Sequence, residues 1–251
     1  PMTIKNPFSL EGKTILVTGA SSGIGKAIAI ESSKMGANVI ITGRNEERLK
    51  KTYYLLKGSG HGLIVADLSV KEDIERLHKE LPVIDGLVNC AGLTKVAPFS
   101  FATRDSFEEV MNVNFFAPTE LTRLMVKTKK IRKGASIVFI SSVSGVYCSA
   151  VASAIYSSSK GAVNGLVKGV ALDLAPKGIR VNSVNPGMID TDIFTGSAIT
   201  DEQLRTDMLR YPLGRYGKPE EVAYAVIYLL SDAATWITGS NLLIDGGYTL
   251  L

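Results

Sequence analysis

The 251-residue sequence predicts an α/β fold: a doubly wound sheet of seven parallel strands with helices on both faces. Three observations carry that expectation. Seven short runs rich in apolar and β-branched residues recur at 14–18, 38–42, 63–66, 86–88, 136–141, 180–184 and 241–244. They are mostly apolar rather than alternating, as in strands buried on both faces of a parallel sheet. Longer stretches with helical spacing separate them, and a glycine-rich turn follows the first run directly.

Taken in order, the run at 14–18 is the first strand, and Ile24, Ile28, Glu31 and Met35 mark a helix of about three turns that Gly36 closes. The short stretch 71–81 joins the third and fourth strands. Between the fifth and sixth, residues 156–175 are rich in Ala, Val, Leu and Lys, and Pro176 and Gly178 end that helix. Residues 190–215 follow the sixth strand and carry Ile193, Phe194, Ile199, Leu204, Met208 and Leu209 among polar residues, the pattern of a helical lid with an apolar underside. No linker, composition shift or internal repeat divides the chain, so residues 1–251 are expected to form one domain.

Hydrophobic residues make up 45% and charged ones 21%, which excludes a disordered or fibrous chain. Twenty-eight Lys and Arg against 24 Asp and Glu give a net charge of +4, too small over this length to imply nucleic acid binding. No apolar run approaches the roughly 18 residues of a membrane span. Residues 1–13 are polar and lack the layout of a signal peptide. Cys90 and Cys148 provide no disulfide framework, and with two histidines they make no structural zinc pattern. A protein of a reducing compartment, without a metal, is expected.

The turn after the first strand reads Thr18-Gly19-Ala20-Ser21-Ser22-Gly23-Ile24-Gly25. Glycine tolerates positive φ and lets backbone approach a ligand. The helix that starts there offers free N–H groups and a positive dipole end, a seat for a pyrophosphate. The spacing is Gly-x₃-Gly-x-Gly rather than the usual Gly-x-Gly-x-x-Gly of dinucleotide folds. The hydrolase pattern Gly-x-Ser-x-Gly also matches residues 19–23, but it needs a histidine late in the chain, and the histidines are His61 and His78. A phosphate-binding P-loop fails because Ala27 follows Lys26 and Ala20 stands where its first glycine belongs. A glycine-rich turn without a ligand is the plain alternative.

Over its whole length the chain resembles the short-chain dehydrogenase/reductases, a family built on the Rossmann fold. The matching pieces occur in order: the glycine turn, Asp67-Leu68, Asn89-Cys90-Ala91-Gly92, Val113-Asn114, Ser141-Ser142, Tyr156-x₃-Lys160, and Asn185-Pro186-Gly187 followed by Thr191. The stretch from Pro212-Leu213-Gly214-Arg215 through Thr238-Gly239 to Asp245-Gly246-Gly247 looks most like the 3-oxoacyl-carrier-protein reductase branch.

Tyr156 and Lys160 lie four apart on a predicted helix, so their side chains share a face. A free phenol ordinarily titrates near 10, and a neighbouring ammonium favours the phenolate. The resemblance implies Tyr156 as general acid in reduction (base in oxidation), with Lys160 as its modulator and a ligand of the ribose hydroxyls. It implies Ser142 as the hydroxyl that bonds the substrate carbonyl, and Asn114 as holder of a water behind Lys160. Taken singly, Tyr156 would read as a half-buried helix tyrosine and Ser141-Ser142 as a capping pair. Two departures stand out. Cys90 replaces the usual second Asn, a change expected to touch strand packing more than coenzyme contact. Ser142 and Tyr156 are 14 apart, one more than is usual, which places an extra residue in the loop 143–155.

An enzyme that chooses NAD usually ends its second strand with an acid. Here Gly43 holds that place and Arg44 follows, a planar fork of donors suited to a 2′-phosphate, with Ser21 in the facing turn. NADP(H) is therefore the expected cofactor, although a solvated Arg44 is the commoner fate of such a residue. The resemblance further implies coenzyme contacts from Gly19, Ser21, Ser22, Gly23, Ile24 and Gly25, from Asp67 and Leu68 near the adenine, from Asn89, Ala91 and Gly92, and from Pro186, Gly187, Ile189 and Thr191 near the nicotinamide and phosphates.

The expected reaction is NADPH-dependent reduction of a carbonyl to a secondary alcohol. The substrate is a 3-oxoacyl thioester on an acyl carrier protein or, alternatively, a small ketone, diketone, sugar or steroid; the short 71–81 stretch suits the latter. A non-catalytic nicotinamide-binding regulator would not need Ser142, Tyr156 and Lys160 together. The basic run Lys127, Lys129, Lys130, Arg132 and Lys133 would suit an acidic carrier protein, or is simply a solvated helix end. The resemblance also implies a cytoplasmic homotetramer. Val222, Ala225, Val226 and Leu229 suit an interface and a core equally well.

Overall fold

The computed structural model describes residues 6–191 and 200–251. Its strands are β1 (Thr14–Thr18), β2 (Asn38–Gly43), β3 (Gly62–Val65), β4 (Ile84–Asn89), β5 (Ile131–Ile140), β6 (Arg180–Pro186) and β7 (Asn241–Ile244). All pair in parallel, in the order β3-β2-β1-β4-β5-β6-β7. The order reverses between β1 and β4, so the loops leaving those two strands diverge to opposite faces and open a crevice at the C-terminal strand ends.

The helices are α1 (Gly23–Lys34), α2 (Glu46–Tyr53), α3 (Lys71–Glu80), α4 (Arg104–Met111), α5 (Ala117–Lys127), α6 (Ala154–Leu174), α7 (Asp201–Met208) and α8 (Pro219–Leu230). Ile15, Val17, Val138 and Ile140 face α1 and α8 on one side of the sheet, while Leu16, Ile137 and Phe139 face α5 and α6 on the other. Central strands therefore bury both faces, which is why their sequences do not alternate. Val222, Val226 and Leu229 of α8 are buried in the first core, with Ala225 packed beside them. Among the described residues no helix is long and apolar enough to cross a membrane.

Two expectations change. β5 begins at Ile131 rather than 136, because Ile131 pairs with Ile84 across a register irregularity in β4, and its exposed residues 132–134 carry no apolar signal. This narrows the basic run, because two of its five members are committed inside the fold. Lys130 spends its ammonium on the carbonyls of His78, Lys79 and Leu81 at the end of α3, at 2.7, 3.0 and 2.6 Å. Arg132 pairs with Asp85 at 2.6 Å. The run also sits at the N-terminal end of β5, about 30 Å of strand from the crevice.

Candidate active site

The glycine turn after β1 is shaped by close approach. A Cβ on Gly19 (φ +67°) would lie 2.8 Å from the Cα of Ala91, just beyond β4, and one on Gly25 would lie 2.3 Å from the Gly19 carbonyl oxygen. Side chains are excluded at both points, so α1 starts hard against the strand ends. Ser22 opens α1 without a side-chain cap, and no acid occupies its first turn. The positive end of the helix dipole is left for an outside anion. Around it, Thr191 stands 3.5 Å from where a Gly23 Cβ would be, and the Ser21 hydroxyl stands 3.5 Å from the corresponding point on Gly43. An uncapped helix start ringed by hydroxyls fits a pyrophosphate.

Thr18 completes the turn and went unassigned in the sequence. Its buried hydroxyl accepts from the amides of Cys90 and Ala91 at 3.0 and 3.1 Å, tying β1 to the end of β4. Its signal was its position as the last strand residue before the first glycine.

A second cluster forms where β5 meets α6. Lys160 is buried; its ammonium donates to the Ile140 carbonyl at 2.9 Å and lies 5.7 Å from the Tyr156 ring centroid. The two therefore share a face, as their four-residue spacing requires. The serines that follow Ile140 divide their work. Ser141 donates its hydroxyl to the Lys160 carbonyl at 3.1 Å and is spent inside the fold. Ser142 accepts the Ser144 amide at 3.1 Å, so its own proton remains free to donate. Asn114 lies in a π-helical turn (Asn112–Phe116) between α4 and α5, a device common at functional sites. Its amide brackets both backbone groups of Leu93, at 2.8 and 2.9 Å, and donates to Ser159 at 3.0 Å. A Gly92 Cβ would lie 3.2 Å from the Asn114 oxygen and 3.6 Å from the Lys160 nitrogen, so Gly92 leaves that junction open. Ser159 was also missed; nothing in its spacing marks it.

The remaining predicted contacts differ in character. Arg44 is exposed at the end of β2 and makes no ion pair among the described residues. Asp67 lies two residues beyond β3 and accepts from the amide and hydroxyl of Ser69 at 2.9 and 2.7 Å, with Leu68 buried beside it. Asn89 is buried: its side-chain amide donates to Thr122 of α5 at 3.1 Å, while its side-chain oxygen is buried with no hydrogen-bond partner among the described residues. Cys90 packs against the α1–α8 core, and burial pushes its thiol up to about 12, with Lys160 opposing. At the end of β6, Pro186 accepts from Val143 at 3.0 Å, and Gly187 just beyond it donates to Ile244 at 3.0 Å. Ile189 is buried beside a strap in which Asp190 donates to Gly217 and Gly217 to Met188. The apolar underside expected of the lid is only partly present: Leu204 and Met208 are half-buried, whereas Leu209 is 80% exposed. Ile193, Phe194 and Ile199 lie outside the described residues.

An uncapped helix at the switch point of a parallel sheet, facing a Ser, Tyr and Lys cluster, defines a dinucleotide-binding oxidoreductase frame. A family model described as enoyl-(acyl carrier protein) reductase matches residues 19–249, and the chain belongs to the short-chain dehydrogenase/reductase family. It is 36% identical over 244 residues to the 3-oxoacyl-(acyl-carrier-protein) reductase FabG of Rickettsia felis, covering 97% of this chain and 100% of that protein. Among solved structures, the RhlG/NADP active-site complex of Pseudomonas aeruginosa superposes with a TM-score of 0.90 at 31% identity, covering 98% and 100%. A proposed NAD(P)-dependent gluconate 5-dehydrogenase of Beutenbergia cavernae, solved with NADP at low occupancy, superposes with a TM-score of 0.88 at 33% identity, again covering 98% and 100%.

Proposed function

We propose that this chain uses NADP(H) to interconvert a ketone and a secondary alcohol. The observation that carries the reading is the Ser142 hydroxyl with its proton uncommitted, on the same strand end that anchors Lys160 beside Tyr156. The first turn of α1 with Ser21, Ser22 and Thr191 holds the pyrophosphate, and Arg44, with no acid at Gly43, takes the 2′-phosphate. Bound coenzyme supplies the hydride. Ser142 donates to the substrate oxygen and stabilises its developing charge. Tyr156 gives that oxygen its proton, and the Lys160 ammonium favours the phenolate left behind. Asn114 is a positioning residue: its side chain is committed to Leu93 and Ser159, so it fixes the loop behind Lys160.

The substrate has two supported classes. The name of the Rickettsia relative favours a 3-oxoacyl thioester; the B. cavernae structure favours a small hydroxy acid or sugar acid. We further propose one domain and a homotetramer, supported by exposed Phe116, Leu172 and Trp236 and by bare Gly165 and Gly169 on α6. Two free cysteines suit a cytoplasmic location. Initial rates with NADPH and NADH against 3-oxoacyl thioesters, diketones, sugars and steroids test the reading. NADPH is oxidised with at least one class and preferred over NADH; binding of NADPH without consumption by any ketone would overturn it.

A further inference from the structure

We propose that the cavity bordered by Tyr147, Cys148, Arg210, Tyr248, Thr249 and Leu251 receives a carboxylate carried by the substrate, with Arg210 as the residue that recognises it. The inference rests on the oxidoreductase reading above and narrows its substrate to a short oxo acid or hydroxy acid. The cavity measures about 420 Å³, the scale of a small-molecule site.

Its walls come from two segments that are hydrogen-bonded or stacked onto loops next to the reactive cluster. Tyr147 and Cys148 belong to the turn after Ser142, closed by amide bonds from both residues to the Val143 carbonyl at 3.2 and 3.0 Å. The next residue, Ser149, bonds the hydroxyl of Ser157, the neighbour of Tyr156, at 2.7 Å. On the opposite wall Tyr248 stacks on Tyr211 at 4.9 Å, and the Tyr211 hydroxyl accepts the Met188 amide at 3.2 Å, in the loop leaving β6. The cavity is thus tied to both the Ser142–Tyr156 loop and the 187–191 segment.

Among the described residues Arg210 is the one basic side chain lining it, and it is held in place. Its guanidinium lies 5.0 Å over the Tyr248 ring, bonds the Tyr248 hydroxyl, and donates to Asp207 at 3.0 Å. Asp207 is itself shared, accepting the Tyr216 hydroxyl at 2.8 Å on its other oxygen. Two of the five N–H bonds of a guanidinium are so spent, which orients the fork and leaves donors for a second carboxylate. The hydroxyls of Tyr147 and Thr249 are already committed, to the Asn241 carbonyl and the Asp245 carboxylate. The lining therefore offers one cation and aromatic faces beside a single aliphatic side chain, Leu251.

The test compares four- to six-carbon oxo acids with their methyl esters, which share the reacting ketone and differ only in the charge. In the unaltered protein kcat/KM for the acid exceeds that for the ester by about 10- to 100-fold, the range of a hydrogen bond to a charged group. Arg210→Gln collapses that ratio towards unity, and Arg210→Lys, which keeps the charge but loses the fork, gives an intermediate ratio. A ratio near one in the unaltered protein, or a loss in Arg210→Gln that is equal for acid and ester, would overturn the inference; the latter would make Arg210 only a clamp on Tyr248. Turnover of a neutral diketone without turnover of any oxo acid would sink the carboxylate subsite and leave the oxidoreductase reading standing. Failure to oxidise NADPH with any carbonyl would remove both.

Discussion

Replacing Gly25 with alanine separates folding from coenzyme binding. The new methyl would stand 2.3 Å from the Gly19 carbonyl oxygen, and reaching ordinary contact at 3.4 Å moves the start of α1 by about 1.1 Å. Alanine is a better helix former than glycine by about 1 kcal/mol, while overpacking costs roughly 1–3 kcal/mol. The net loss of roughly 0–2 kcal/mol leaves the domain folded. An N–H···O bond of about 2.9 Å lengthened by that shift is no longer a bond. Losing two bonds to a charged phosphate at about 1.5–3 kcal/mol each weakens NADPH binding by roughly a hundredfold or more. Fluorescence titration with NADPH reads the affinity, and urea unfolding reads the stability. A Gly25→Ala protein that binds NADPH within threefold of the unaltered one would refute the claim that the helix start is the phosphate seat.

Other perturbations probe separate parts of the account. Arg44→Ala raises the KM for NADPH by about 10- to 100-fold and leaves that for NADH little changed; equal effects on both coenzymes would remove Arg44 from phosphate recognition. Glu221 is held down at about 2 by the Arg215 fork (2.8 and 2.7 Å) and the Lys218 amide. A depressed carboxyl stabilises the fold above its ordinary value near 4.5, and that contribution is lost as pH falls through about 2. Because both side chains are substantially exposed, Arg215→Ala costs only about 1 kcal/mol at neutral pH, and the two stability curves converge near pH 2. Gly169→Arg, on an α6 surface with nothing within 4 Å, splits the assembly on a sizing column without lowering the melting temperature of the separated chain by more than a few degrees; an unchanged elution volume argues against α6 as an interface.

Much of this architecture could be read from residue order, for identifiable reasons. Strand β1 matched its apolar run residue for residue, since a parallel strand buried on both faces writes an uninterrupted apolar signal; β7, a half-buried edge strand, matched as well because glycines and polar residues bound its short run. The start of β5 was invisible because exposed Arg132 and Lys133 look like a helix end. The glycine turn was recognisable by spacing, but the reason for Gly19 and Gly25, the approach of Ala91 and of the turn's own carbonyl, is a contact between distant segments. Spacing favoured Ser142 over Ser141, and what the sequence could not show is the Ser141 bond to the Lys160 carbonyl. For Asn89 a motif fixes the residue but not its side-chain partner, and the bond to Thr122 is set by the approach of α5. Arg210 was overlooked because it follows Leu209 in a stretch read for apolar residues, and its partners Asp207 and Tyr248 are set by the fold.

The central claim is that the Tyr156 hydroxyl delivers the proton while coenzyme binds elsewhere. Tyr156→Phe, assayed for ketone-dependent NADPH oxidation alongside NADPH affinity, tests it most directly. Loss of a general acid predicts a fall in kcat of about 100- to 10,000-fold with the NADPH dissociation constant unchanged within threefold. Turnover within tenfold of the unaltered protein would contradict it.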